Sequence, residues 1–229
     1  MSGTAIKDNG AQHLKELAGG HGPVVDLVNH PPKNIIYDVG YVLIEYRWID
    51  VLSEGLGISY EEAQRIGDEI FGSPYWKLYD LGTVTDEDLI RGYAMCYPDD
   101  AEAIEWFIRS SEQLPVGRPA VWAKVHELHE RGYKQYLLSN YPEKMFRQHT
   151  DGKSLMQDID GMVVSYQYHM AKPDPRIFHK LLDLYGLKAE ECLYFDDLEA
   201  NTAGGRRVGI PSRTVRSERH LLCMLDELP

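Results

Sequence analysis

The spacing of short apolar runs most constrains what this chain can fold into. Ile35-Ile36-Tyr37, Tyr133–Leu138, Gly161–Val164 and Cys192–Phe195 alternate with longer stretches of helical period, such as Pro119–Arg131 and Arg176–Tyr185, which stop at Gly132 and Gly186. Strands alternating with helices require right-handed crossovers and therefore a parallel sheet. The expected fold is α/β, a doubly wound, Rossmann-like parallel sheet, with Ile210–Val215 as a fifth strand and Glu218–Leu228 as a last helix. Each of the first four runs is followed by polar residues: Asp38, Ser139-Asn140, Lys172 and Asp196-Asp197. The carboxyl ends of parallel strands share one rim, where ligands bind, so these residues are expected to meet in one crevice.

Between residues 49 and 114 no convincing strand appears. Tyr60–Ile70 has helical spacing with Ser59 as its N-cap, and Thr85-Asp86-Glu87-Asp88 and Asp99-Asp100 open further helices with acids in their first turns. This reads as a small helical insert over 49–114 within a core of 34–48 and 115–229. Residues 1–33, glycine-rich and closed by Pro31-Pro32, read as an N-terminal extension.

The 229-residue chain carries a formal charge of −12. That argues against a nucleic-acid backbone or an anionic membrane surface as partner, since both are recognised by lysine and arginine. Cys96, Cys192 and Cys223 are odd in number and far apart, which suits a reducing compartment and gives no metal-ligand spacing. No apolar run is long enough to span a bilayer, and no basic start precedes an apolar stretch, so a cytoplasmic location is expected. Nothing in the sequence sets an oligomeric state.

A crevice holding several carboxylates, one hydroxyl and one lysine has a readable chemistry. Close carboxylates repel unless a cation sits between them, and a hard divalent ion, usually Mg2+, takes oxygen ligands. A carboxylate nucleophile, a metal and a lysine together suggest phosphoryl transfer through an aspartyl-phosphate.

Four segments in order, Tyr37-Asp38-Val39-Gly40-Tyr41-Val42, Leu137-Leu138-Ser139-Asn140, Lys172 in Lys172–Phe178, and Phe195–Asn201, resemble the ordered motifs of the haloacid dehalogenase superfamily, most of whose members are magnesium-dependent phosphatases. The resemblance runs from residue 34 to about 216, and the insert matches the family's helical cap. It implies that Asp38 attacks phosphorus and binds the metal together with the Gly40 carbonyl and Asp197. It implies that Asp196 orients Lys172 or a metal-bound water, that Ser139 and the backbone near Asn140 hold phosphoryl oxygens, and that Lys172 neutralises the nucleophile and the transferring group. Tyr41 is the residue after the motif expected to face substrate. The implied partner is a small phosphorylated metabolite, a sugar phosphate among the candidates.

The chain departs from the pattern at Gly40, where most phosphatases of the family carry a second aspartate as general acid and base. It resembles instead an Asp-x-Gly-Asn-Val subset, with Tyr41 in place of the asparagine. General acid catalysis contributes about 10²–10⁴ in rate. Either the leaving group is a good one, such as an anomeric oxygen, or a residue of the helical insert supplies the proton. Two other readings share the motifs: a metal-independent 2-haloacid dehalogenase, against which the Asp196-Asp197 pair speaks, and a catalytically decayed binding protein. His169 reads as structural, and Tyr75, Trp76 and Tyr79 as the insert's own core.

Overall fold

The computed structural model describes Leu27 and residues 31–229; all of the expected N-terminal extension but Leu27 and residues 31–33 lies outside the described residues. The chain enters through strand β1 (Asn34–Tyr37), turns at Asp38–Leu43 and continues into β2 (Ile44–Tyr46). Helices α1 (Trp48–Leu56), α2 (Tyr60–Gly72), α3 (Pro74–Asp80), α4 (Asp86–Cys96) and α5 (Ala101–Arg109) follow. The chain returns along β3 (Pro115–Gly117), antiparallel to β2. Then come α6 (Pro119–Glu130), β4 (Lys134–Ser139), α7 (Glu143–Thr150), β5 (Gly161–Val164), the single turn α8 (Ser165–Tyr168), α9 (Pro175–Tyr185), β6 (Cys192–Asp196), α10 (Glu199–Arg207), β7 (Ser212–Thr214) and α11 (Glu218–Asp226).

The main sheet has the order β5-β4-β1-β6-β7, every neighbouring pair parallel. β1 is central and buried on both faces, as its unbroken Ile-Ile-Tyr run requires. Side chains alternate between the faces. Ile35, Tyr37, Leu137, Leu193 and Phe195 pack with Val121, Val125 and Leu128 of α6 and Leu221 and Leu225 of α11. Ile36, Tyr136, Leu138 and Tyr194 pack with Ile177, Phe178 and Leu181 of α9. From β1 the order runs to β4 on one side and β6 on the other, which opens a crevice beyond its carboxyl end.

The fold is thus the α/β arrangement read from the sequence, with local differences. The fifth strand is confined to Ser212–Thr214, shorter than 210–215. The β2–β3 pair, α1 and α3 were not anticipated: three-residue strands show too little alternation to register, and α3 has only seven residues, with proline at its start. Ser59 does cap α2, accepting from the Glu62 N–H at 3.1 Å, and Thr85 with Asp88 forms a capping box on α4. Among the described residues no helix is long and apolar enough to cross a membrane.

The turn after α3 is fastened to the loop after β5. Ser165 Oγ donates to the Asp80 carbonyl, and His169 Nδ1 donates to the Leu81 carbonyl at 2.7 Å. Gly82, at φ +64°, lies so close to Tyr166 that an added Cβ would sit 2.9 Å from the tyrosine Cβ. Only glycine fits that approach and that backbone conformation. A further tie joins Lys144 of α7 to Asp86 of α4 at 2.6 Å.

Candidate active site

Asp38 follows the last residue of β1, its N–H bonded to the Phe195 carbonyl at 2.9 Å. One carboxylate oxygen, Oδ1, accepts from the Val39 N–H at 2.7 Å and Ser139 Oγ at 2.7 Å and pairs with Lys172 Nζ at 2.9 Å. None of these bonds falls on Oδ2, which leaves that oxygen for an electrophile or a cation. Burial, with the Asp196 charge adding to it and Lys172 opposing it, pushes the Asp38 carboxyl up to about 6.

Lys172 is almost fully buried and lies between two acids, with Asp196 Oδ2 at 2.7 Å and the Leu138 carbonyl at 2.9 Å as its other partners. Burial works against its charge, but Asp196 and Asp38 outweigh it and hold the ammonium above its usual value. Its backbone is clamped by Asn140, whose Nδ2 donates to the Lys172 carbonyl at 3.0 Å and whose Oδ1 accepts from the Lys172 N–H at 2.8 Å. The Asn140 side chain therefore positions the lysine, and one of its two amide protons is spent on the Lys172 carbonyl.

Asp196 is enclosed. It accepts from the Leu198 N–H at 2.8 Å, from Asn201 Nδ2 at 3.0 and 3.1 Å, from Tyr194 and from Lys172. Burial opposes its ionisation, yet Lys172 and these donors keep it below the usual carboxylate range. Asp197 is half-buried and faces the crevice; burial, then the Asp38 and Asp196 charges, push it up to about 7. Carboxylate oxygens of Asp38, Asp196 and Asp197 all lie within 4.8 Å of one another. This all-oxygen, mutually repelling donor set fits a hard divalent cation, and Asp38 Oδ2 and Asp197 are the ligand positions that Lys172 and Asn201 leave open.

These residues line a cavity of about 400 Å³ at the rim of the sheet. Asp38, Gly40, Tyr41, Ser139, Asn140, Lys172 and Asp197, all picked out from the sequence, border it; Asp196 lies directly behind, against Lys172. Tyr41 holds a left-handed backbone, φ +53°, a conformation in which asparagine is enriched, and its ring meets Tyr46 edge-on at 5.2 Å. Trp76, expected in the core of the helical insert, borders the cavity with Trp48 and Phe71, because α3 packs with one side open to the crevice. Tyr79 is core, as expected. His169 is the fastener of the Leu81 turn.

Sequence reasoning missed three groups. Tyr141 and His149, from β4's outgoing loop and α7, carry no motif. His149 Nε2 faces the Ser111 carbonyl at 2.7 Å and must donate to it, so in the neutral ring Nδ1 accepts from Tyr141 at 2.7 Å, and Tyr141 in turn accepts from Tyr46. Burial lowers the His149 pKa and keeps the ring neutral. The third group is Asp80. It had a signal, since Asp80-Leu81-Gly82 repeats the acid-x-glycine pattern of Asp38-Val39-Gly40.

A family model described as haloacid dehalogenase-like hydrolase matches residues 99–209, which include Ser139, Lys172, Asp196 and Asp197. Asp38 lies outside that match and joins the others through the geometry above. Phosphatase MT3486 of Mycobacterium tuberculosis is 28% identical over 174 residues, 73% of this chain and 69% of that protein. In fold the chain is similar to the HAD family enzyme bt-2542 of Bacteroides thetaiotaomicron, solved with magnesium and inorganic phosphate (TM-score 0.64, 21% identity, 81% of this chain and 95% of that one). It is also similar in fold to the L-2-haloacid dehalogenase of Xanthobacter autotrophicus (TM-score 0.59, 15% identity, 86% and 84%). The central-strand acid thus meets the lysine and acidic pair of the matched region at the rim of a parallel sheet, and it is that region, residues 99–209, that is haloacid dehalogenase-like.

Proposed function

We propose that the chain is a magnesium-dependent phosphatase of small phosphorylated metabolites that works through an aspartyl-phosphate on Asp38. The observation that carries this reading is the division of labour at Asp38: Oδ1 is tied to Ser139 and Lys172, none of these bonds uses Oδ2, and Asp38 borders the cavity together with Asp197. A carboxylate so held has one oxygen fixed and one presented, which is the orientation a nucleophile needs. Mg2+ on Asp38, Asp197 and the Gly40 carbonyl would neutralise phosphoryl charge. Ser139 Oγ and Lys172 Nζ bind phosphoryl oxygens, and Asp196 keeps Lys172 charged and aimed. The acidic pair supports this over the metal-independent dehalogenase reading, and the intact cluster speaks against a decayed site.

Residues 49–114 act as a cap that sets the substrate. Trp48, Phe71, Trp76, Leu114 and Met145 give the cavity an apolar, aromatic wall. Among the described residues that line it, the basic side chains are Lys172 and His149, the first paired twice and the second neutral. No cation remains for a second anionic group, so the leaving part is neutral with an apolar face, as in a sugar or aryl phosphate. A phosphatase screen of sugar phosphates and nucleotides, with Mg2+ and with chelator, tests the reading. Turnover that needs Mg2+ and vanishes in Asp38→Asn supports it; release of halide from 2-haloacids without metal, and no phosphate release, overturns it.

A further inference from the structure

We propose that Asp80, at the carboxyl end of α3, is the catalytic general acid and base that Gly40 cannot be. The proposal rests on the phosphatase reading and deepens it.

The space beside Gly40 is closed, because the ring of Tyr46 occupies it: a Cβ added there would sit 2.9 Å from Tyr46 Cε2. The proton must come from elsewhere on the cavity wall. Tyr46 and Tyr141 direct their protons along the chain that ends at Ser111, and both nitrogens of His149 are engaged in it. Tyr41 is exposed at the cavity mouth, and partial burial of its phenol raises it further above an already weak acidity. Asp197 belongs to the acidic cluster suited to the cation. Asp80 borders the same cavity as Asp38, near enough for the charge of Asp38 to act on it. Its backbone is fixed from the core side, by Ser165 on its own carbonyl and His169 on the next. The cap thus brings one carboxyl to the crevice on an anchored turn and not on a free loop. Burial, then the charge of Asp38, push that carboxyl up to about 8 against the opposing pull of Lys172, so it holds its proton at neutral pH. An acid poised near the working pH is what proton transfer to a leaving oxygen needs.

The steps balance. As Asp38 bonds to phosphorus, the bond from phosphorus to the leaving oxygen breaks, and that oxygen takes the electron pair and the Asp80 proton, leaving as an alcohol. Water then attacks the phosphorus of the aspartyl-phosphate and gives a proton to the Asp80 carboxylate; the Asp38–phosphorus bond breaks, and phosphate and both starting side chains are regenerated.

The test is single-turnover release of phenol from phenyl phosphate and of nitrophenolate from p-nitrophenyl phosphate, with Mg2+, by the full chain and by its Asp80→Asn and Asp80→Glu variants. Nitrophenolate is the better leaving group and needs a proton least. Asp80→Asn is expected to slow phenol release by about 10²-fold or more and nitrophenolate release by less than about 10-fold, with Asp80→Glu restoring most of the phenol rate. Equal slowing of the two, or no slowing of phenol release, overturns the assignment of Asp80 while leaving the phosphatase reading intact. A wild-type protein that releases neither overturns that reading and this proposal with it.

Discussion

The ring of Tyr46 rests against the α-carbon of Gly40, and its hydroxyl is bonded to that of Tyr141. The missing side chain at position 40 is therefore a filled volume. Gly40→Ala is expected to cost about 1–3 kcal/mol by overpacking. In a Tyr46→Leu background, where the ring edge is gone, the same change costs less than about 0.5 kcal/mol. Denaturant unfolding of the four proteins of this cycle measures the coupling; additive losses would show that the two residues do not share the space.

Asp80 gives the folded chain a pH dependence of known sign. Its carboxyl binds a proton more tightly folded, near pH 8, than unfolded, near 3.8. Its contribution to stability is neutral below about pH 4 and grows more unfavourable as pH rises from there to about 8. Asp80→Asn, which is neutral throughout, is expected to melt with the wild type near pH 4 and below. At pH 8 it should be more stable by about 1–3 kcal/mol, below the full linkage value because the site can relax. Thermal unfolding in chelator across that range checks this; a gap that does not widen with pH contradicts it.

Asn140 tests positioning separately from chemistry. Asn140→Ala removes both bonds that hold the Lys172 backbone. The lysine would lose its alignment with Asp38, and kcat should fall by about 10- to 100-fold with a smaller change in KM. A fall confined to KM would place Asn140 on the substrate instead.

Metal binding should be visible without turnover. The repulsion among Asp38, Asp196 and Asp197 is relieved by a cation, so Mg2+ at about 100 times its Kd is expected to stabilise the protein by about 2.7 kcal/mol. The effect should be lost in Asp197→Asn. Equal stabilisation of wild type and variant in calorimetric melts would move the ion to another site.

The strand-end polar residues were legible because β1, β4 and β6 are short, buried along most of their length and punctuated by Asp38, Ser139 and Asp196, so that one apolar run and one rim residue together carry the signal. Lys172 was less sharply placed, since seven residues separate it from the end of β5, and its motif carried most of the signal. The cavity wall was not legible. Trp48, Phe71 and Trp76 belong to amphipathic helices whose period marks a buried face without saying whether that face meets the insert or the crevice. Tyr141 and His149 gain their roles from a hydrogen-bond chain that ends at Ser111, across 38 positions of sequence. Asp80 sits in an acid-x-glycine pattern like that of Asp38, but what brings it to the cavity is the docking of its turn on Ser165 and His169, a tertiary contact that the pattern does not encode.

The most direct measurement is to quench the protein during turnover of p-nitrophenyl phosphate with Mg2+ and to map the phosphorylated residue by mass spectrometry after borohydride reduction. The account predicts an acyl-phosphate on Asp38, absent in chelator and absent from Asp38→Asn. Turnover with no phosphorylated Asp38, or with the label on another residue, would contradict it.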